Sequence, residues 1–165
     1  MDIGLVLLLI AADQLTKSAA VSYLAEKEDL ILIDGVLQLH YLENRGAAFS
    51  MLQNAQIVFV IAALIMACAV ILVLSRVPSG KRYLAWHLCL SMIFAGGIGN
   101  LIDRLRLSYV IDFIYVSLIN FPVFNVADIC VSVGVAVLVI FLLFVWKEED
   151  MRFLERKNRK QTPER

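Results

Sequence analysis

Apolar residues fill four long stretches of this chain, about 3–24, 56–75, 84–103 and 124–146. Each comes close to the roughly 20 residues that carry a helix across a bilayer. The first is interrupted by Asp13, Gln14, Thr16 and Lys17. It opens Met-Asp, acidic where a signal peptide is basic, and the polar run replaces a cleavage site, so a retained helix is expected. The segment 30–43, "LILIDGVLQLHYLE", has another rhythm. Two β-rich runs flank Asp34-Gly35, a favoured hairpin turn pair. Alternation puts Val36, Gln38, His40 and Leu42 on one face and Leu37, Leu39 and Tyr41 on the other. "LSYVIDFIYVSLI", after the third span, is also β-rich and is expected to join or extend the same sheet. The pattern predicts an all-α membrane protein, a single domain over 1–165. It has four transmembrane helices and a small extracytoplasmic β-sheet, a cradle, between helices 1 and 2, with no repeats and no low-complexity linker.

Composition strengthens this reading. Of the 165 residues 61% are hydrophobic, with a mean hydropathy of +0.80, above the usual half for soluble domains. The formal net charge is zero, so no basic field points to nucleic acid as a partner. Cys68, Cys89 and Cys130 lie in apolar runs at no ligand-like spacing. An odd number of cysteines in a lipid setting indicates neither a disulfide framework nor a metal site; they read as small packing residues. Lys and Arg outside the spans set orientation. The loop between helices 2 and 3 has three and the tail after Trp146 has seven; Lys27, Arg45, Arg104 and Arg106 make four on the other side. Both termini are expected in the cytoplasm, with the 25–55 and 104–123 connections outside. The tail 147–165 reads as a charged orientation signal, part helix and part disorder.

Four polar clusters interrupt the apolar pattern. "DQLTK" sets Asp13 and Lys17 four apart on one helix face; "ENRGAAFS" leads into helix 2; "GGIGNLIDR" ends helix 3; "VIDF" and "FPVFNVAD" precede and open helix 4. All fall near the outer membrane level, and converging polar groups in lipid predict one site. Each also has a structural reading. Asp13 and Lys17 are expected first as a self-neutralising ion pair. Asn125 and Asp128 have the spacing of a helix cap after Pro122. Arg104 adjoins Asp103 and is a candidate to neutralise it. The Gly96-Gly97-x-Gly99 run reads as close helix packing, and it is no phosphate loop, because no strand precedes it. His40 is expected as a strand residue, and Tyr109, Trp86 and Trp146 as interfacial belt aromatics.

The chemistry starts from the number of carboxylates at that level, Asp103, Asp112 and Asp128. Two within hydrogen-bonding distance do not readily ionise together, which leaves one acid and one base. Such a pair activates water and polarises a carbonyl without metal, serine or cysteine. The chain has no G-x-S-x-G and no H-E-x-x-H. A hydrolase built from it is expected to be aspartyl; the residues alone do not say which two of the three form the pair. A small proton- or cation-coupled transporter is the rival. Against it, the acids cluster at one side instead of crossing, and the four helices show no inverted repeat. A non-enzymatic assembly factor leaves the aspartates unexplained.

"DQLTK" (13–17), "NRGAAF" (44–49), "GGIGNLIDR" (96–104), "VIDF" (110–113) and "FPVFNVAD" (121–128), in that order, resemble the lipoprotein signal peptidases, or signal peptidase II, over nearly the whole chain to Trp146. The resemblance implies a cofactor-free, metal-free aspartyl endopeptidase of the bacterial inner membrane. Its partners would be diacylglyceryl-modified prolipoproteins, cut before the lipidated lipobox cysteine, together with membrane lipid and globomycin-type inhibitors. It implies Asp112 and Asp128 as the dyad. Asp13, Lys17, Asn44, Gly46, Asn100, Asp103, Arg104, Asn125 and Ala127 follow as supporting or substrate-contacting positions. Asp103 and Arg104 are expected as a structural pair, and Asn44 and Asn125 as hydrogen-bonding substrate or a catalytic carboxylate.

Overall fold

The computed structural model describes residues 2–46 and 56–154. Four helices, α1 (Ile3–Leu24), α2 (Gln56–Leu74), α3 (Leu84–Leu107) and α4 (Val126–Phe144), are long and apolar enough to span. Their outward faces are covered with Leu, Ile and Val, for example Leu7, Leu8, Ile57, Ile65 and Leu143. In water such faces would be a liability; in lipid they are the solvent-matched surface. α3 is the most enclosed span and contacts each of the other three helices.

Small residues allow that central position. A Cβ on Gly96 would collide with the Ala127 carbonyl oxygen and stand 2.8 Å from Val131 Cγ2, so the glycine lets α3 run against the first turn of α4. The expectation of close packing at the glycine run holds here.

At one end of the bundle the chain forms one antiparallel sheet in the order β1 (Leu30–Ile33), β2 (Leu37–Asn44), β3 (Val110–Tyr115). The Asp34-Gly35 turn joins β1 to β2, with Gly35 at φ +67°, and Ile33 pairs with Leu37. The later β-rich segment does join the sheet, with Leu42 opposite Asp112 and Asn44 opposite Val110. Beneath it Ala20 and Leu24 of α1 pack with Ile111 and Phe113.

Three expectations change. Helix 3 does not end at 103 but runs to Leu107, closed by Ser108 in the left-handed conformation; Arg104 and Arg106 belong to its last turns, because Leu105 and Leu107 continue the apolar pattern. Trp86 and Trp146 are not belt residues. Both are buried and stack at 4.4 Å between ring centroids. A 3-10 segment, Glu148–Leu154, folds back beneath them: Phe153 meets the Trp86 edge, and Asp150 pairs with Arg82. The third change concerns Arg104 as a partner, taken up with the site. The rest of the charged tail, and Ala47–Ser50 of the second cluster, lie outside the described residues. Cys89 and Cys130 are buried packing residues, whereas Cys68 faces outward.

Candidate active site

Four elements, β2, β3, α3 and α4, deliver the polar residues to one level. Asn125 caps α4: its Oδ1 accepts from the Asp128 backbone amide at 2.9 Å, and its own backbone amide donates to Asp128 Oδ2 at 3.1 Å, a reciprocal capping box. Asp128 is thereby held at the third helical position, against free amides and the positive end of the helix dipole. The expected cap is present. β3 brings in Asp112, which is 1% exposed. Asn44 Nδ2 donates to Asp112 Oδ2 and Asn125 Nδ2 to Asp112 Oδ1, each at 2.7 Å. Asn100 of α3 donates through Nδ2 to Asp128 Oδ1 at 2.7 Å. Asn100 Oδ1 accepts from Asn125 Nδ2 at 3.0 Å. Asparagine amides thus connect the two carboxylates without a gap.

Burial pushes the Asp112 carboxyl up to about 6, and the nearby Asp128 charge adds to the rise; the Asn44 and Asn125 donors pull the other way.

A second layer lies behind. Lys17 Nζ sits 2.9 Å from Asp13 Oδ2, 2.8 Å from Asp103 Oδ2 and 2.9 Å from Asn100 Oδ1. The expected Asp13–Lys17 ion pair is therefore real, and it is one half of a larger buried group. Asp103 also accepts the Ile111 backbone amide at 3.2 Å, which fixes β3 to α3. Asp13 Oδ1 accepts the Ala127 backbone amide at 2.9 Å, which fixes α1 to the start of α4. Removing one partner from such a buried set leaves an uncompensated charge, at a cost of about 3–5 kcal/mol.

The pairing of Asp103 with Arg104 does not occur. Neighbouring helical residues point about 100° apart and do not face each other. Arg104 instead lies over the Phe59 ring at 5.2 Å and donates to the Asn100 carbonyl at 3.3 Å. It helps line a cleft of about 320 Å³ with Phe59, Ala62, Met66, Asn100 and Asp128. This cleft opens between α2, α3 and α4, with apolar walls and with Asn100, Arg104 and Asp128 at the end near the sheet. Asp103 is buried behind the site and takes no part in the cleft. Of the three candidate acids, Asp112 and Asp128 are the two that asparagines bridge. Gly46, at φ +82°, donates its amide to Asn44 Oδ1 at 2.9 Å.

Gln14 carried no role in the sequence reading, yet its Nε2 lies within 3.2 Å of Asp13 Oδ2, the Gly99 carbonyl and Asp103 Oδ1. Its signal was an amide inside an apolar span. Phe59 and Met66 gave no signal, since their residue types suit any membrane helix. Among the described residues no group of side chains has the makings of a metal site.

Comparison with known proteins identifies the family. The family model described as signal peptidase (SPase) II matches residues 5–144. A lipoprotein signal peptidase of Streptococcus pyogenes serotype M5 (strain Manfredo) is 47% identical over 144 residues, covering 87% of this chain and 91% of that protein. Its counterpart in serotype M3 (strain ATCC BAA-595 / MGAS315) is 46% identical over the same shares. Two bacterial membrane enzyme structures solved by the in meso method superpose with TM-scores of 0.78 and 0.76, each 28% identical. They cover 87% and 96% of this chain and 93% of the solved chains. None of these relatives is a transporter. Four spans, a three-stranded sheet and matches over most of the length show that the chain belongs to the signal peptidase II family, aspartic peptidases of the membrane.

Proposed function

We propose that Asp112 and Asp128 are the catalytic dyad of a single undivided peptidase domain. It removes the signal peptide from diacylglyceryl-modified prolipoproteins, cutting before the lipidated cysteine. One observation carries the assignment: Asp128 stands at the polar end of an apolar cleft, and Asn125 ties it directly to Asp112. One proton serves the two carboxyls, and the burial of Asp112 favours its residence there. The ionised member takes a proton from water as the oxygen attacks the scissile carbonyl, and the protonated member gives its proton to the carbonyl oxygen. When the tetrahedral diol collapses, the first carboxyl passes its proton to the departing amine and the second recovers its own. No metal enters these steps.

The cleft suits the substrate class. Acyl chains on the cysteine lie in the bilayer, and Phe59, Ala62 and Met66 offer them apolar walls. The sheet lies above, where the extramembrane part of the substrate would rest. Ten basic residues flank the spans on the side of the termini and four on the side of the sheet. This bias supports cytoplasmic termini and a site near the outer face of the bacterial inner membrane. Globomycin-type cyclic peptides would occupy the same cleft.

The test is cleavage of a diacylglyceryl-cysteine lipobox peptide by the purified protein in detergent. Wild type is expected to cut directly before the cysteine in the presence of a chelator. Asp112→Asn and Asp128→Asn should each lose several orders of magnitude while still folding and binding globomycin. Near-normal turnover in either variant would remove that residue from the dyad, and a folded wild type that cuts nothing would refute the substrate assignment.

A further inference from the structure

The three asparagines of the site share a property that their distances alone do not express. A carboxamide has one end that only accepts and one that only donates. Each of these amides has its oxygen engaged by a group that can only donate. Asn44 Oδ1 accepts the Gly46 backbone amide, and Asn125 Oδ1 the Asp128 backbone amide. Asn100 Oδ1 accepts the Lys17 ammonium at 2.9 Å. The nitrogen of each is then left to face a dyad carboxylate. For Asn44 and Asn125 the lock is backbone. For Asn100 it is a side chain, and Lys17 is 1% exposed.

We propose that Lys17 is a positioning residue of the peptidase: it fixes the polarity of the Asn100 amide so that its N–H, not its carbonyl, meets Asp128. Lys17 touches neither dyad carboxylate in any contact of the site; its partners are Asp13 and Asp103, which neutralise it, and Asn100, through which it acts. Arg104, the other cation near Asn100, reaches its backbone carbonyl instead of the amide. Without the ammonium, Asn125 Nδ2 at 3.0 Å is the remaining donor to Asn100 Oδ1. That group already donates to Asp112 and lies 3.3 Å from the Ile111 carbonyl, so it holds the amide weakly. A flipped Asn100 would press a carbonyl oxygen against the Asp128 carboxylate.

The inference rests on the dyad reading, which the Asp112→Asn and Asp128→Asn assays test separately. Its own test is a kinetic cycle on the lipobox peptide with kcat and KM measured separately. Lys17→Met and Lys17→Gln are made in wild type and in Asn100→Ala, with the melting temperature of each. In the wild-type background Lys17→Met should lower kcat about 100-fold, the scale of losing one oriented donor at a reacting centre, with KM changed far less. Lys17→Gln keeps an N–H for Asn100 Oδ1 and should recover most of that loss. In Asn100→Ala no amide remains to be oriented, so Lys17→Met should change kcat by less than about threefold. If Lys17→Met does not fold, Lys17→Met with Asp103→Asn keeps the net charge of the cluster and is compared with Asp103→Asn alone. Equal kcat for the Gln and Met variants, or the same loss in both Asn100 backgrounds, would overturn the proposal and leave Lys17 as a fold residue.

Discussion

Asn44 and Asp112 stand diagonally across the β2–β3 pairing, on one face of the sheet, and the Asn44 amide donates to Asp112 Oδ2 at 2.7 Å. The contact favours the charged carboxylate and opposes the effect of burial. Asn44→Ala should therefore move the Asp112 titration upward from about 6, and the limb of the pH–rate profile that reports it should move to higher pH. Losing a hydrogen bond to a charged group predicts a fall in kcat of about 10- to 100-fold. An unmoved profile would separate Asn44 from the chemistry.

Asp112 also links stability to pH. Its folded-state value, about 6, lies above its ordinary value of 3.8, so the folded protein binds this proton more tightly than the unfolded chain. The resulting stabilisation is full below pH 3.8 and is lost as pH rises through about 6. Asp112→Asn cannot titrate. The melting temperature of wild type minus that of the variant should fall steadily between pH 4 and pH 7, by at most about 3 kcal/mol in stability terms. Melts in detergent across that range check the sign, and a constant difference would contradict it.

Gly96 and Gly97 are adjacent but should differ in tolerance. A methyl on Gly96 meets the Ala127 carbonyl of α4, whereas on Gly97 it meets the flexible end of Met66. Gly96→Ala should cost about 1–3 kcal/mol as overpacking against backbone and disturb the turn that carries Asp128. Gly97→Ala should melt close to wild type. Thermal denaturation of the two variants gives the comparison directly.

Trp146→Ala removes one half of the stacked tryptophan pair at the end of the bundle away from the sheet. A loss of about 3–5 kcal/mol is expected for a buried tryptophan, with KM for the lipobox peptide unchanged, because Asp128 and the polar end of the cleft lie at the other end of α4. Paired melting and kinetic measurements would show whether stability and substrate binding separate in this way.

The residues explain which parts of this architecture were readable in advance. Helices α1 to α4 followed from apolar length, despite the polar run Asp13–Lys17 in the first, and the β1–β2 hairpin from Asp34-Gly35 between β-rich runs. The capping box at Asn125 and Asp128 is local in sequence, so spacing sufficed to expect it. Long-range partners were not readable. Lys17 bridges α1 to Asp103 and Asn100, more than eighty positions away, and adjacency misassigned Asp103 to Arg104 because helical neighbours diverge. Trp86 and Trp146 looked like belt residues because tryptophan near a span end usually is one. Long-range packing buries them, against Val70 and Leu74 of α2 and under the fold-back of Glu148–Leu154.

Asp13 on the first helix accepts the Ala127 amide at the head of the fourth. Synthesis delivers these helices in order, and the carboxylate beside Ala127 belongs to the last. On the proposed dyad, a partly inserted chain holds one catalytic carboxyl of two and is expected to have no activity. Proteolysis is then expected to begin only when the final span is seated against the first, so that the enzyme stays inert for as long as it is itself an unfinished membrane protein.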